Sequence, residues 1–154
     1  MIKINIILNN KLWYRYIKNP SKFLEHKVSK LNKLNKKYKK NNIIFTVLLS
    51  GNSEIRKLNK RFRNKNNSTD VLSFPFYKKE DLNNKLKKEK EIYLGDVIVN
   101  INKINKKNGN KNFKAEFDKL WVHGLVHLFG YDHKKVKDYN LMIKVEKKFL
   151  SYLI

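Results

Sequence analysis

Residues 123–133 read His123-Gly124-Leu125-Val126-His127-Leu128-Phe129-Gly130-Tyr131-Asp132-His133 and hold three of the chain's four histidines. No other stretch restricts the fold as much. His123 and His127 are four apart, so on a helix they stand one turn apart on the same face. Phe113, Phe117, Leu120, Trp121, Leu125 and Leu128 form an apolar stripe at helical spacing through the same region. A helix buried on one side and bearing two imidazoles is expected. Gly130 offers its exit, because glycine takes the left-handed conformation that ends many helices. That turn can bring His133 back towards the first two. Three neutral nitrogens converging on one ion, with a fourth position left open, is how catalytic zinc sites are built. One zinc per chain, held by His123, His127 and His133, is the expectation.

The spacing follows the H-E-x-x-H-x-x-G-x-x-H pattern of the metzincin peptidases with one change. There the residue after the first histidine is a glutamate, the general base. Here it is Gly124, which has no side chain. The metal grip is kept and the peptidase base is absent, which points to a hydrolase with another substrate. Met142 lies beyond the third histidine, where a metzincin places its methionine turn, but it also fits a helical stripe and reads as core. His26 stands alone on a helix and reads as solvent-facing.

Elsewhere the chain alternates strand and helix patterns. Residues 2–8 alternate apolar and polar, as a half-buried strand does. Asn19-Pro20 is a helix start, followed by a stripe of Leu24, Val28, Leu31, Leu34 and Tyr38. Residues 43–49 are a short apolar run suited to a strand covered on both faces. Ser53 can cap a short helix carrying Ile55, Leu58 and Phe62, with Arg61 and Arg63 at its end. Residues 69–75 read as a strand closed by proline. Residues 92–100 form another strand, with Gly95 marking a bulge or close backbone approach. Residues 78–91 are mostly charged and are expected to be a solvated loop, with RNA contact as the alternative. A short helix is expected before the turn at Asn108-Gly109-Asn110. A last helix is expected over about 135–152, with Val136, Tyr139, Met142, Val145, Phe149 and Leu153 as its stripe. There is no repeat and no linker. The order fits a single α+β domain spanning 1–154, one small mixed sheet packed by helices.

The chain carries 36 Lys+Arg against 13 Asp+Glu, a formal charge of +23. That suits a polyanionic partner, nucleic acid first. Saturation with Lys, Asn and Ile is also what AT-rich coding produces, so the charge alone does not establish a partner. Without cysteine, disulfides and thiolate metal sites are excluded. The N-terminus does not read as a secretion signal, and no apolar run approaches the length of a membrane span. A cytoplasmic location without membrane contact is expected.

The motif His123-Gly124-x-x-His127-Leu128-x-Gly130-Tyr131-Asp132-His133 resembles the signature of the YbeY family, bacterial endoribonucleases of ribosomal RNA maturation. Two further blocks agree, in the family's order. One is Leu58-Asn59-x-x-Phe62-Arg63 followed by Thr69-Asp70-Val71-Leu72-Ser73-Phe74, and the other is Leu94-Gly95-Asp96-Val97. The resemblance implies a four-stranded sheet with several helices and a zincin-like site in which the three histidines hold zinc. It implies that Arg63 is important for activity. It further implies single-strand cleavage of small-subunit ribosomal RNA at its 3′ end, and a part in ribosome quality control. The implied partners are ribosomal RNA and the small subunit, with ribosomal proteins or an assembly GTPase as further candidates and no DNA. Phe62 stands where the family often has tyrosine.

Arg63 suits phosphate because its guanidinium is always charged and can bind two oxygens at once. The general base is open among Asp132, Asp70 and Asp96. Asp132 can instead shape the turn or accept from a ligand histidine, and Asp70 and Asp96 can anchor strand ends. Two competing readings remain at this point: a metallopeptidase, disfavoured by Gly124, and a non-enzymatic assembly factor with a structural metal. Structural zinc usually has four protein ligands, and no fourth is evident.

Overall fold

The computed structural model describes residues 1–154. Its strands are β1 (Ile2–Leu8), β2 (Asn42–Ser50), β3 (Val71–Pro75) and β4 (Glu91–Asn100), and its helices are α1 (Pro20–Leu34), α2 (Asn52–Arg63), α3 (Lys79–Lys88), α4 (Gly109–Leu128) and α5 (Val136–Tyr152). The sheet order is β1-β2-β4-β3. The first three run parallel and β3 is antiparallel to β4. This is the expected mixed four-stranded sheet in a single α+β domain. β2, the apolar run at 43–49, is an interior strand, and β3 is a free edge.

The two faces of the sheet are covered unequally. α1, α4 and α5 bury one face, with Phe45, Val47 and Val97 meeting Leu24, Phe117, Trp121 and Leu125 in a continuous core. α2 alone serves the other face, where Ile55 packs on Leu72 and Ile98. Lys27 of α1 reaches Asp118 of α4 at 2.7 Å, and Trp121 Nε1–H donates to the same carboxylate at 2.9 Å. Removing Lys27 would strand a mostly buried charge.

Local signals explain most boundaries. The Asn19 side chain accepts from the Lys22 N–H at 3.0 Å and caps α1, with Pro20 in the first turn. Gly95 is both bulge and close approach. The β2–β4 register shifts beside it, its φ is +133°, and a Cβ there would lie 2.1 Å from the Phe74 carbonyl oxygen.

Several expectations change. Residues 78–91 are not a solvated loop. They contain α3, which buries Leu82 and packs Leu86 partly against the core. Two leucines four apart make a stripe too narrow to see among lysines. Glu80 and Asp81 in the first turn and lysines in the last complement the helix dipole. The Leu24-to-Tyr38 stripe is not one helix. α1 stops at Leu34, which is exposed, and a 3₁₀ turn at Lys36–Tyr38 lays Tyr38 on Phe129 with ring centroids 4.8 Å apart. Ser53 does not cap α2. The helix starts at Asn52 with Gly51 at the cap position, two residues earlier, and the Asn52 N–H donates to Asn102 Oδ1 at 2.9 Å. The short helix expected before Asn108 is a 3₁₀ turn at Ile101–Lys103. Val136 and Tyr139 are exposed, because the first turn of α5 overhangs the core. Residues 11–15 form a further 3₁₀ turn that sinks Trp13 completely, its Nε1–H donating to the Ser50 carbonyl at 3.1 Å. No helix is long and apolar enough to cross a membrane.

Candidate metal centre

α4 lies across β3 and β4, and His123 and His127 sit one turn apart near its C-terminus. Gly124 sits between them because nothing larger fits. A Cβ there would lie 2.4 Å from Val97 Cγ1 and 3.2 Å from Ser73 Oγ. The position that carries the base in the peptidase pattern faces the sheet here and has no room for a carboxylate.

The helix ends in a two-bond turn. The Gly130 N–H donates to the His127 carbonyl at 2.9 Å, and the Tyr131 N–H donates to the Val126 carbonyl at 3.4 Å. This pairing needs a left-handed residue, supplied by Gly130 at φ +91°. The turn reverses the chain and carries His133 back. One nitrogen from each of His123, His127 and His133 lies within 4.8 Å of the others. Ring centroids are 4.7 Å apart for His123 and His127 and 5.1 Å for His127 and His133.

The tautomers follow from the partners. His123 Nδ1–H donates to Glu146 Oε1 at 2.7 Å, and His127 Nδ1–H donates to the Tyr131 carbonyl at 2.9 Å. A carboxylate and a carbonyl only accept, so the proton of each ring sits on Nδ1 and the lone pair on Nε2. Burial, then the neighbouring His123, pushes the His127 imidazole below the ordinary 6.5. Each effect favours the neutral ring that a cation requires. The cluster could therefore hold a metal ion through three imidazoles. Glu146 was missed in the sequence because it comes from α5 and meets His123 only in the tertiary structure.

Asp132 accepts the His133 backbone N–H at 2.7 Å and so shapes the turn next to the cluster. Asp70 is exposed at the start of β3. Its carbonyl accepts the Asn100 N–H at 2.8 Å, and its carboxylate accepts the Thr69 hydroxyl at 3.3 Å. Asp96 points to the α2 face of the sheet, while its neighbour Val97 points to α4. It accepts from the Tyr93 hydroxyl and lines a cavity of about 400 Å³ with Ile7, Leu48 and Phe74. The sheet stands between Asp96 and the histidines.

Arg63 ends α2. Its Nη2–H donates to the Ser73 carbonyl at 3.0 Å on the free edge of β3, and its guanidinium lies 5.7 Å from the Phe74 ring centre. Ser73 Oγ–H donates in turn to the Gly124 carbonyl at 3.4 Å. Ser73 thus links Arg63 to the helix segment between the two histidines.

Residues 8–154 match the family described as Endoribonuclease YbeY. An Endoribonuclease YbeY of Pelagibacter ubique is 41% identical over 99% of this chain and 97% of its own length. One from Thermodesulfovibrio yellowstonii is 34% identical, covering 96% of this chain and 89% of its own. The solution structure of TM1509 from Thermotoga maritima superposes with a TM-score of 0.63 at 28% identity, covering 98% of this chain and 89% of that one. A three-histidine cluster on a helix-and-turn scaffold, carried by a chain that matches this family along nearly its whole length, places the protein in the YbeY family of endoribonucleases.

Proposed function

We propose that this endoribonuclease is zinc-dependent and cuts single-stranded RNA, maturing the 3′ end of small-subunit ribosomal RNA and serving ribosome quality control in the cytoplasm. Its partners on this reading are ribosomal RNA and the small subunit, together with ribosomal proteins or an assembly GTPase. The whole of 1–154 acts as one metal-dependent catalytic domain. The observation that carries the reading is the convergence of His123, His127 and His133 with two Nδ1 protons already committed to acceptors.

Zinc, if held by His123, His127 and His133, would supply Lewis acidity and lower the pKa of water to about 7. The chain supplies the rest. Glu146 and the Tyr131 carbonyl orient two of the rings. Arg63 neutralises the charge that builds on the non-bridging phosphate oxygens, using the guanidinium nitrogens that Ser73 does not occupy. Asp132, which bonds the His133 backbone, is the candidate for proton transfer that stands at the cluster; Asp96 faces the other side of the sheet and Asp70 lies beside Asn100 at the start of β3.

The test is single-turnover cleavage of a defined single-stranded RNA by zinc-loaded wild type and by His127→Ala purified in parallel. Wild-type cleavage that His127→Ala lacks is expected. Equal cleavage by both exposes a contaminating nuclease, and no cleavage by a wild type with one bound zinc per chain refutes the reading.

A further inference from the structure

The chain has four arginines among its 36 cationic residues, and three of them, Arg56, Arg61 and Arg63, lie on α2. The rest of the sequence writes its positive charge almost wholly as lysine. A compositional drift towards lysine accounts for the rest of the surface and not for this helix. Arginine differs from lysine in its planar fork, which binds phosphate through two parallel hydrogen bonds.

Position on the helix sharpens the point. At 100° per residue, Arg56, Lys60 and Arg63 fall within one sector of about 60°. The one acid of α2, Glu54, lies roughly 160° from Arg56. Ile55 and Leu58 pack on the sheet from a separate side, where the largely exposed Phe62 meets the Phe74 ring edge-on. None of the α2 cations takes part in an ion pair. The helix dipole rewards cations in the last turn, which covers Lys60, Arg61 and Arg63. It gives nothing to Arg56 near the middle, whose neighbour four residues on is Lys60, a like charge that disfavours the helix.

Arg56 is also held ready. Asn66 Oδ1 accepts its Nε–H at 3.0 Å, which fixes the guanidinium plane and leaves the terminal nitrogens free. Beside it is a polar recess of about 610 Å³ that includes Lys57, Lys60, Asn66 and Ser68 and no acid. Successive charges on the stripe are separated by roughly 4.5–6 Å along the axis, comparable with one nucleotide step of an extended strand.

We infer that α2 is a phosphate track. Arg56 and Lys60 grip two consecutive phosphates of the substrate strand on one side of the scissile linkage, and Arg63 stands at the end nearest the histidines. The inference rests on the endoribonuclease reading and adds to it the path of the substrate strand over the protein.

The experiment measures the salt dependence of binding to a single-stranded RNA 12-mer by the Arg56→Gln/Lys60→Gln double variant in a His127→Ala background, so that no RNA is cut. A charge-matched control, Lys39→Gln/Lys40→Gln, removes two exposed lysines from the turn before β2. Each lost phosphate contact should flatten the log–log slope by about 0.7, so the α2 variant should lose about 1.4 and the control almost nothing. A second RNA carries neutral methylphosphonate linkages at two consecutive positions on one side of the cleaved bond, and a third carries them on the other side. The α2-competent protein should bind one of these more weakly than the other, and the α2 variant should bind them alike. Equal slopes in variant and control overturn the track, as does equal weakening by both modified RNAs. Polyglutamate bound with the same change in slope would make α2 a general polyanion surface and overturn it too. Cleavage by wild type is scored separately. Wild-type cleavage with no slope change in the α2 variant removes the track alone, and a slope change in the α2 variant alongside a zinc-loaded wild type that does not cut removes the nuclease reading alone.

Discussion

Adding one methyl group at Gly124 tests how closely the histidine-bearing helix must lie on the sheet. A Cβ there would sit 2.4 Å from Val97 Cγ1, about 1 Å inside the 3.4 Å at which ordinary contact begins. Val97 is fully buried in β4 and has nowhere to go. The helix has to lift or Val97 has to leave its rotamer, at about 1–3 kcal/mol. Alanine recovers about 1 kcal/mol over glycine in a helix interior. Gly124→Ala should therefore lose up to about 2 kcal/mol, read in urea titrations, or as much as about 8 °C in Tm for a chain of this size. Both helical histidines move together with α4, so zinc affinity should change little. Their relation to Arg63, which is anchored on β3, does change, and a displacement near 1 Å can cost up to about 100-fold in cleavage. Val97→Ala alone should lose about 2 kcal/mol by leaving a cavity. In the double variant the new methyl fills that cavity, so the two changes should couple favourably by about 1 kcal/mol or more. Gly124→Glu drives the same Cβ and a charge into the contact and should unfold locally without gaining proteolysis. A Gly124→Ala protein with wild-type stability and activity, or strict additivity with Val97→Ala, would refute this account.

Arg63→Ala should keep fold and zinc and lose most RNA cleavage in single-turnover assays, and Arg63→Lys should recover only part because it lacks the planar fork; full activity in the alanine variant removes the assigned role. Glu146→Ala should weaken zinc binding about 10- to 100-fold in competition with a chromogenic chelator, because the His123 ring loses the acceptor that orients it. The metal-free chain should lose stability as pH falls below 6.5: His127 is held below that value in the folded state, so the unfolded chain binds the proton first, and the stability present above 6.5 declines on acidification. Urea midpoints at pH 7.5 and 5.5 should differ less for His127→Gln than for wild type, and an identical difference would show that His127 does not carry the effect.

What could be read from the sequence depended on how local each signal was. The i, i+4 histidines and Gly130 are local, and so is Asn19 as a helix cap; each constrains a single turn of backbone. The strand at 43–49 was legible because a run of β-branched and apolar residues suits burial on both faces. α3 was hidden because its helical signal is two leucines among lysines, and burial of Leu82 is decided by a core assembled from distant segments. Trp13 lacked any periodic context, so nothing marked it as buried. Glu146 lies 23 residues from His123, and no spacing rule connects a helix to the one that folds against it. The α4-facing wall at Gly124 was also invisible, since a missing side chain in sequence does not say what fills its place. Asp96 shows the converse: it stands in a motif with the other site residues, yet strand alternation turns it to the far face.

A Cβ on Gly130 would meet Lys79 Cβ at 2.8 Å, and Lys79 Nζ lies 5.0 Å from the centre of the Tyr131 ring. Lys79 is the first residue of α3, which contributes no histidine and no candidate base. Yet α3 leans on the turn whose carbonyl orients His127 and whose end carries His133. The connection between β3 and β4 therefore acts as a tensioner on the cluster. Shortening it, loosening its anchor at Leu82, or crosslinking it to the turn would change the spread of the three rings while every ligand remained in place. The cluster's affinity for a metal ion would then respond to changes in a lysine-rich segment with all three histidines untouched.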